Sequence, residues 1–156
     1  MKGISLFFLT LLTLSGCSLT VPVIGMIGDG SELFTGTATG GMGGTGSINL
    51  IGTINDTKCF GGFTYTRVVE GTGSTGIADI QCDDGRKAQL KFIAESYNKG
   101  MGTGFDNFGS PFMFSYGMTK EETFRVFQKI DKNMNPQKHL PSENLETKTP
   151  QPSQYF

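Results

Sequence analysis

The chain has 156 residues, which is enough for one domain with a modest core. Its 13 Lys and Arg residues nearly balance its 14 Asp and Glu residues, so the formal charge is −1. A chain without a basic field is not expected to bind nucleic acid. Glycine is the compositional outlier, because 21 of the 23 glycines lie between positions 17 and 118 and residues 119–156 contain none.

The N-terminal segment has the pattern of a secretion signal. Lys2 supplies a positive charge, and residues 4–14 form an apolar run of 11 residues. This run is too short for a membrane-spanning helix, which needs about 20 residues, and suits a signal peptide. The sequence therefore predicts a removable signal over residues 1–16.

The segment Leu14-Ser15-Gly16-Cys17 resembles the lipobox of bacterial lipoproteins. The resemblance implies that signal peptidase II cleaves before Cys17, that its thiol carries a diacylglycerol and that its amine is acylated. Several acyl chains together give stable membrane anchoring. Ser18 follows in place of the Asp that marks inner-membrane retention, which implies a bacterial outer-membrane location. The alternative is an ordinary signal whose cleavage site happens to contain Cys.

Residues 17–32 are predicted to be the lipid anchor and a tether, with a turn near Gly28–Gly30. Residues 33–117 are predicted to form a glycine-rich β domain, because apolar and polar residues alternate in successive short segments. The predicted inward faces are Phe34/Gly36/Ala38, Ile48/Leu50, Cys59/Phe63/Tyr65, Ala78/Ile80/Cys82, Leu90/Phe92/Ala94 and Phe112/Phe114/Tyr116. Six or seven such strands favour an all-β antiparallel meander, closed or nearly closed into a barrel, with a β-sandwich as the alternative.

Turns and glycines follow the same pattern. Asp84-Gly85 predicts a hairpin, and Asn55-Asp56 predicts another turn. Gly-x-Gly recurs at 44/46, 71/73 and 100/102/104. On a strand this spacing leaves bare backbone on one face, where an aromatic ring can lie close or a small barrel can bend.

Two cysteines remain after Cys17, and Cys59 and Cys82 are predicted to form a disulfide. Strand parity places both thiols on inward faces, and pairing is the simplest outcome in an oxidising envelope. A metal site would need more Cys or His nearby, and a redox pair would normally be Cys-x-x-Cys.

The pattern changes after position 118. Thr119 and Glu122 have the spacing of a capping box, and Phe124, Phe127 and Ile130 follow at helical spacing. A short helix is predicted over residues 118–132, with Phe124 and Phe127 packed on the barrel. Residues 133–156 contain four prolines among polar residues and are predicted to be disordered.

No catalytic, cofactor or metal site is predicted. The single His is His139, in the predicted disordered tail. Asp83, Asp84 and Arg86 form the densest charged cluster, which is either a candidate binding turn or an ordinary hairpin tip.

Carboxylates offer one enzymatic alternative. Asp79, Glu95 and Asp106 are candidates for paired-carboxylate cleavage of glycosides, if the fold brings two of them together. Otherwise they are polar surface residues of strands and turns.

The glycine-rich strands and the Asp84-Gly85-Arg86 turn resemble a type of small proteobacterial lipoprotein, a resemblance that implies no particular activity. The expected function is that of a membrane-anchored envelope lipoprotein with a non-enzymatic binding or structural β domain. Its expected partners are the membrane, through Cys17, and an envelope protein, through the barrel mouth or the tail. The alternatives are an inhibitor or exclusion lipoprotein acting on a hydrolase or a phage, and a carboxylate-dependent envelope hydrolase.

Overall fold

A computed structural model describes residues 18–27, 30, 32–41, 43–70 and 73–134. The predictions of the signal peptide, of lipidated Cys17 and of His139 with its tail beyond residue 134 lie outside the described residues.

The described chain forms a closed antiparallel barrel of eight strands followed by one helix. Each strand pairs with the next, and β1 closes the barrel by pairing with β8, from Val23 opposite Tyr116 to Ile27 opposite Phe112. This confirms the predicted meander and barrel, and the β-sandwich alternative is wrong. The elements are β1 (Ser18–Ile27), β2 (Glu32–Gly41), β3 (Thr45–Gly52), β4 (Lys58–Arg67), β5 (Ser74–Cys82), β6 (Lys87–Ser96), β7 (Lys99–Asp106), β8 (Pro111–Tyr116) and α1 (Lys120–Met134).

The prediction of a tether across residues 17–32 is wrong where the structure describes the chain. Ser18–Ile27 is strand β1, and Glu32 begins β2. Pro22 lies within β1, just outside the β1–β8 register, which ends at Val23. Pro22 therefore needs no N–H toward β8, and its carbonyl accepts a hydrogen bond from Gly117 N at 2.8 Å.

The six predicted inward faces are confirmed, because the buried core residues of β2–β6 and β8 follow the predicted parity. β8 differs in one respect: its outward residues Met113 and Ser115 are buried as well. Helix α1 covers this strand, with Phe127 fully buried and Ser115 Oγ 2.6 Å from Thr123 Oγ1.

Helix α1 begins with the predicted capping box. Thr119 N donates to Glu122 Oε2 at 3.0 Å, and Glu122 N donates to Thr119 Oγ1 at 3.2 Å. The helix covers 120–134 rather than 118–132. The prediction that Phe124 packs on the barrel is wrong, since this side chain is 43% exposed while Phe127 alone of the two is buried. The face of the helix that packs on β8 is centred on Thr123 and Phe127, four positions apart and both fully buried, so that Phe124 lies at its edge.

Both predicted turns are present. Gly85 has a φ of 91° in the β5–β6 turn, a value that suits glycine. Asp56 has a φ of 53° between β3 and β4, in the left-handed region that Asp tolerates. The disulfide is also confirmed, because Cys59 and Cys82 lie directly opposite each other on β4 and β5 and are bonded.

Candidate ligand-binding cavity

The two ends of the barrel differ. One end is filled by Phe34, Leu50, Leu90 and Phe112, all nearly inaccessible to solvent. The rings of Phe34 and Phe112 lie 6.1 Å apart between centroids. Because these side chains close the interior, we call this the closed end.

An ion pair seals the closed end from outside. The Arg86 guanidinium lies 5.2 Å from the centroid of the Phe34 ring and pairs with Glu32 Oε2 at 2.8 Å. Arg86 Nε also donates to Asp84 Oδ2 at 2.6 Å, and this hydrogen bond lowers the pKa of the Asp84 carboxyl. Burial disfavours the charged guanidinium, but its hydrogen bonds to Asp84 and Glu32 outweigh that effect and raise the pKa of Arg86.

The candidate binding turn is thus bonded within the protein. Asp84 and Arg86 bind each other, and Asp83 Oδ1 accepts a hydrogen bond from Lys58 N at 3.1 Å. These contacts hold the β5–β6 turn against β4 and the closed end. A ligand-binding role for Asp83, Asp84 and Arg86 stays a prediction.

The other end of the barrel, which we call the mouth, opens into a cavity of about 640 Å³. This volume lies within the range of about 300–1,000 Å³ that small-molecule sites occupy. The described residues that line it are almost all apolar, and none of them carries a charged side chain. One wall is aliphatic, from Val21, Val23, Ala38 and Ile48.

A second wall is aromatic, with rings on β4, β6 and β8 that meet mostly edge to face. The Phe92 ring is central: its centroid lies 5.1 Å from that of Tyr65, 6.1 Å from Phe63 and 6.2 Å from Tyr116, with interplanar angles of 86–88°. This geometry is favourable for aromatic pairs and adds to the energy of burial. The aromatic wall is therefore a rigid surface for a ligand.

Glycines make room for these rings. A Cβ at Gly46, Gly76 or Gly102 would overlap the ring of Phe63, Phe92 or Phe114, respectively. The prediction of bare backbone beneath aromatic rings is confirmed for Gly46 and Gly102, whereas Gly76 was not part of the predicted Gly-x-Gly pattern. The prediction is wrong for Gly44 and Gly73, which lie before β3 and β5 with φ values of 71° and 86° and have no aromatic ring within 3.4 Å of the position a Cβ would take. Gly71, the predicted companion of Gly73, lies outside the described residues.

Among the described residues that line the cavity, one buried polar atom has no hydrogen-bond partner. Ser74 Oγ donates to Val69 O and Ser96 Oγ donates to Asn98 Oδ1, so both hydroxyls are bonded locally. The Tyr116 hydroxyl, in contrast, is buried and makes no hydrogen bond of good geometry, although the Tyr65 side chain lies near it. Burial raises the pKa of Tyr116 well above its usual range, and the neighbouring Tyr65 raises it further. Tyr116 therefore stays a neutral phenol, and unsatisfied buried groups of this kind are uncommon in proteins.

The candidate carboxylates do not form a pair. Asp79, on the outer face of β5, accepts from Gln89 Nε2 at 2.9 Å, and Glu95 lies six positions beyond Gln89 on β6, which is roughly 20 Å along a strand. Asp106 is on the inner face of β7, where its Oδ1 accepts from the backbone of the β7–β8 turn. Glycosidase carboxylates lie within about 10 Å of each other.

The described residues contain no group of three or more His, Cys, Asp and Glu side chains that could hold a metal ion. Nor does helix α1, the helix within this range, have the length and apolarity needed to cross a membrane.

No protein-family model matches the chain, and no curated protein matches it. Two solved structures described as redesigned β barrels are similar. One, b11L5F_LGL, is 19% identical, with a TM-score of 0.48 over 65% of this chain and 90% of that chain. The other, mFAP1 bound to DFHBI, is also 19% identical, with a TM-score of 0.48 over 62% of this chain and 90% of that chain.

The cavity was not predicted from the sequence. Strand parity placed Phe63, Tyr65, Phe92, Phe114 and Tyr116 on inward faces, but it could not tell which of them would meet. The sequence feature that could have indicated a cavity is the contrast between the inward residues of the two halves of the barrel. Aliphatic residues and Phe fill the closed half, whereas small residues such as Ala and Gly face the aromatic rings in the other half.

Proposed function

We propose that this chain is a membrane-anchored lipoprotein of the bacterial envelope whose barrel binds a small, uncharged and mostly apolar molecule in its mouth. The observation that carries the binding proposal is the uncharged aromatic cavity with the unpaired Tyr116 hydroxyl. An apolar pocket with few polar groups is the usual form of a small-molecule site. The lipobox segment ending at Cys17 supports the anchor and the outer-membrane location.

The lining favours uncharged ligands over ions. A carboxylate or ammonium group inside the cavity would lose its hydration without meeting an opposite charge. A hydroxyl or carbonyl on the ligand would instead pair with the Tyr116 hydroxyl, which can donate or accept. The preferred ligand is thus an apolar body with one neutral polar atom.

The test is a fluorescence titration with the neutral probe N-phenyl-1-naphthylamine, followed by displacement. We expect saturable binding, and we expect dodecan-1-ol to displace the probe at concentrations at least tenfold below those of dodecyltrimethylammonium or dodecanoate. An absence of saturable probe binding, or equal potency of the three competitors, would contradict the proposal.

Two substitutions locate the binding in the mouth. Ala94→Leu fills part of the cavity and is expected to weaken probe binding at least tenfold. Ala88→Leu is the matched control, because Ala88 lies on the same face of β6 but outside the cavity. Tyr116→Phe should weaken dodecan-1-ol binding about fivefold, the effect of one hydrogen bond of ~1 kcal/mol. Tyr97→Phe removes the hydroxyl of an exposed tyrosine at the mouth and is the matched control.

A further inference from the structure

The rim of the mouth is apolar and exposed. It is formed by Leu19 at the start of β1, Val68 and Val69 after β4, and Tyr97 between β6 and β7, all of which line the cavity. Val68 is 75% exposed and Tyr97 80%. Because these residues come from three separate parts of the chain and converge at the cavity entrance, they form one exposed apolar surface around it.

The start of β1 lies at this rim. Ser18 pairs with Gly41 at the mouth end of β2, and the described chain begins there. Cys17 is the preceding residue, and consecutive Cα atoms are about 3.8 Å apart. A lipid on Cys17 would therefore be attached beside the mouth, roughly 25 Å from the closed end, given strands of about ten residues and the tilt of a small barrel.

Both ends of the barrel carry ionic side chains. At the mouth end these include Arg67 and Glu70 after β4, Glu95 near the end of β6 and Lys99 at the start of β7. The closed end exposes five ionic side chains, namely Asp56, Lys58, Asp83, Asp84 and Lys87. The position of the anchor, rather than charge, therefore distinguishes the two ends.

We infer that the rim rests in the interfacial layer of the bilayer that holds the lipid anchor, so that the cavity takes its ligand from that bilayer. The ligand class is then an uncharged membrane amphiphile, with its apolar chain in the cavity and its polar atom near Tyr116. Tyr97 suits this position, because tyrosine is enriched at membrane interfaces. The inference rests on the proposed function, since it requires both the lipid on Cys17 and the ligand cavity.

The test uses the lipidated protein in vesicles of phosphatidylethanolamine and phosphatidylglycerol with brominated acyl chains. Tyr97→Cys and Phe108→Cys are labelled with bimane, while Cys59 and Cys82 stay protected in their disulfide. The two positions are matched, because both are exposed aromatic residues of turns, 80% and 71% exposed, at the mouth and at the closed end. Val68→Cys serves as a second rim position.

We expect the two rim labels to be quenched at least three times as strongly as the label at Phe108→Cys. Equal quenching at both ends, or stronger quenching at Phe108→Cys, overturns the inference. The same preparations are examined by mass spectrometry for the lipid on Cys17, and the unlabelled lipidated protein is titrated with N-phenyl-1-naphthylamine, because Tyr97 and Val68 line the cavity. Unquenched rim labels on a lipidated protein that binds the probe overturn the inference alone, whereas loss of the lipid or of probe binding overturns the proposed function as well.

Discussion

Single residues set the width of the cavity. Gly102 lies beneath the Phe114 ring and Gly76 beneath the Phe92 ring, so that each aromatic ring lies flat over a neighbouring strand. A side chain at either glycine would push the ring toward the barrel axis and reduce the cavity. The glycines are therefore part of the binding site although they offer no group to a ligand.

We expect Gly102→Ala to destabilise the protein by about 1–3 kcal/mol, the usual effect of overpacking a core. The new Cβ would overlap the Phe114 ring and lie 2.6 Å from the Lys91 carbonyl oxygen. The free energy of unfolding in urea measures the effect. Gly41→Ala is the control, since a Cβ there meets nothing within 4 Å. Equal stability of the two variants would contradict the assigned role of Gly102.

At this scale the sequence predicts much of the barrel interior. Alternation identified Phe34, Leu50 and Leu90 as inward residues, because period two depends only on local geometry. It could not predict the unpaired hydroxyl of Tyr116 or the ion pair of Arg86 with Glu32. Those depend on which distant strands become neighbours once the barrel closes.

Among the elements, helix α1 is joined to the barrel through a residue of its own capping box. Its Glu122 accepts hydrogen bonds from Thr119 N and, at 2.9 Å, from Lys99 Nζ on β7. The hydrogen bond from Thr119 N lowers the pKa of Glu122 below its ordinary value of 4.5, and Lys99 lowers it further. One carboxylate therefore starts the helix and ties it to the sheet.

We expect Glu122→Gln to lower the melting temperature at neutral pH, since Gln keeps the capping geometry but loses the charge. A carboxyl whose pKa is lowered by folding stabilises the fold above its unfolded pKa and ceases to do so as pH falls through its folded pKa. The difference between wild type and variant should thus be full above about pH 5 and vanish at lower pH. Thermal unfolding from pH 7 to pH 2 tests this.

Glu121→Gln is the matched control, because Glu121 is the exposed neighbour in the same first turn of the helix. It removes the same charge near the helix N-terminus and retains the capping box. If both variants lose the same stability with the same pH dependence, the helix dipole rather than the specific contacts of Glu122 explains the effect.

Element prediction succeeded where side chains carry the pattern and failed where they do not. The capping box located α1, and six strands showed alternation. β7 showed no hydrophobic alternation because its inward positions include Gly100, Gly102 and Gly104. The space above these glycines is filled by side chains from neighbouring strands. β1 was not predicted as a strand. Its segment contains Pro22, and proline fits a strand only where no backbone N–H is needed, which here is the end of the pairing with β8.

At the scale of the whole molecule, the disulfide joins two neighbouring strands at the closed end. Cys59 and Cys82 are separated by 23 positions, and a cross-link of this size contributes roughly 3 kcal/mol in the chain-entropy account. It lies near the residues that close the barrel and away from the mouth. We therefore assign it to global stability rather than to ligand binding.

We expect the double variant Cys59→Ala/Cys82→Ala to lose about 3 kcal/mol of unfolding free energy while keeping its affinity for N-phenyl-1-naphthylamine. Wild type in the presence of dithiothreitol should unfold at the same urea concentration as the double variant. If reduction leaves the urea midpoint unchanged, the disulfide makes no such contribution.

The pairing of β1 with β8 also fixes an order of events during biosynthesis. Ribosomes deliver β1 first and β8 last, so both barrel edges stay open until Pro111–Tyr116 has emerged. Unpaired edges invite pairing with other chains, and closure between distant segments is slow. The β4–β5 hairpin with Cys59 and Cys82 involves only adjacent strands and can form without the terminal ones. A nascent chain of this kind needs protection until its last strand is made, and a chain cut short before β8 is left with a permanently adhesive edge.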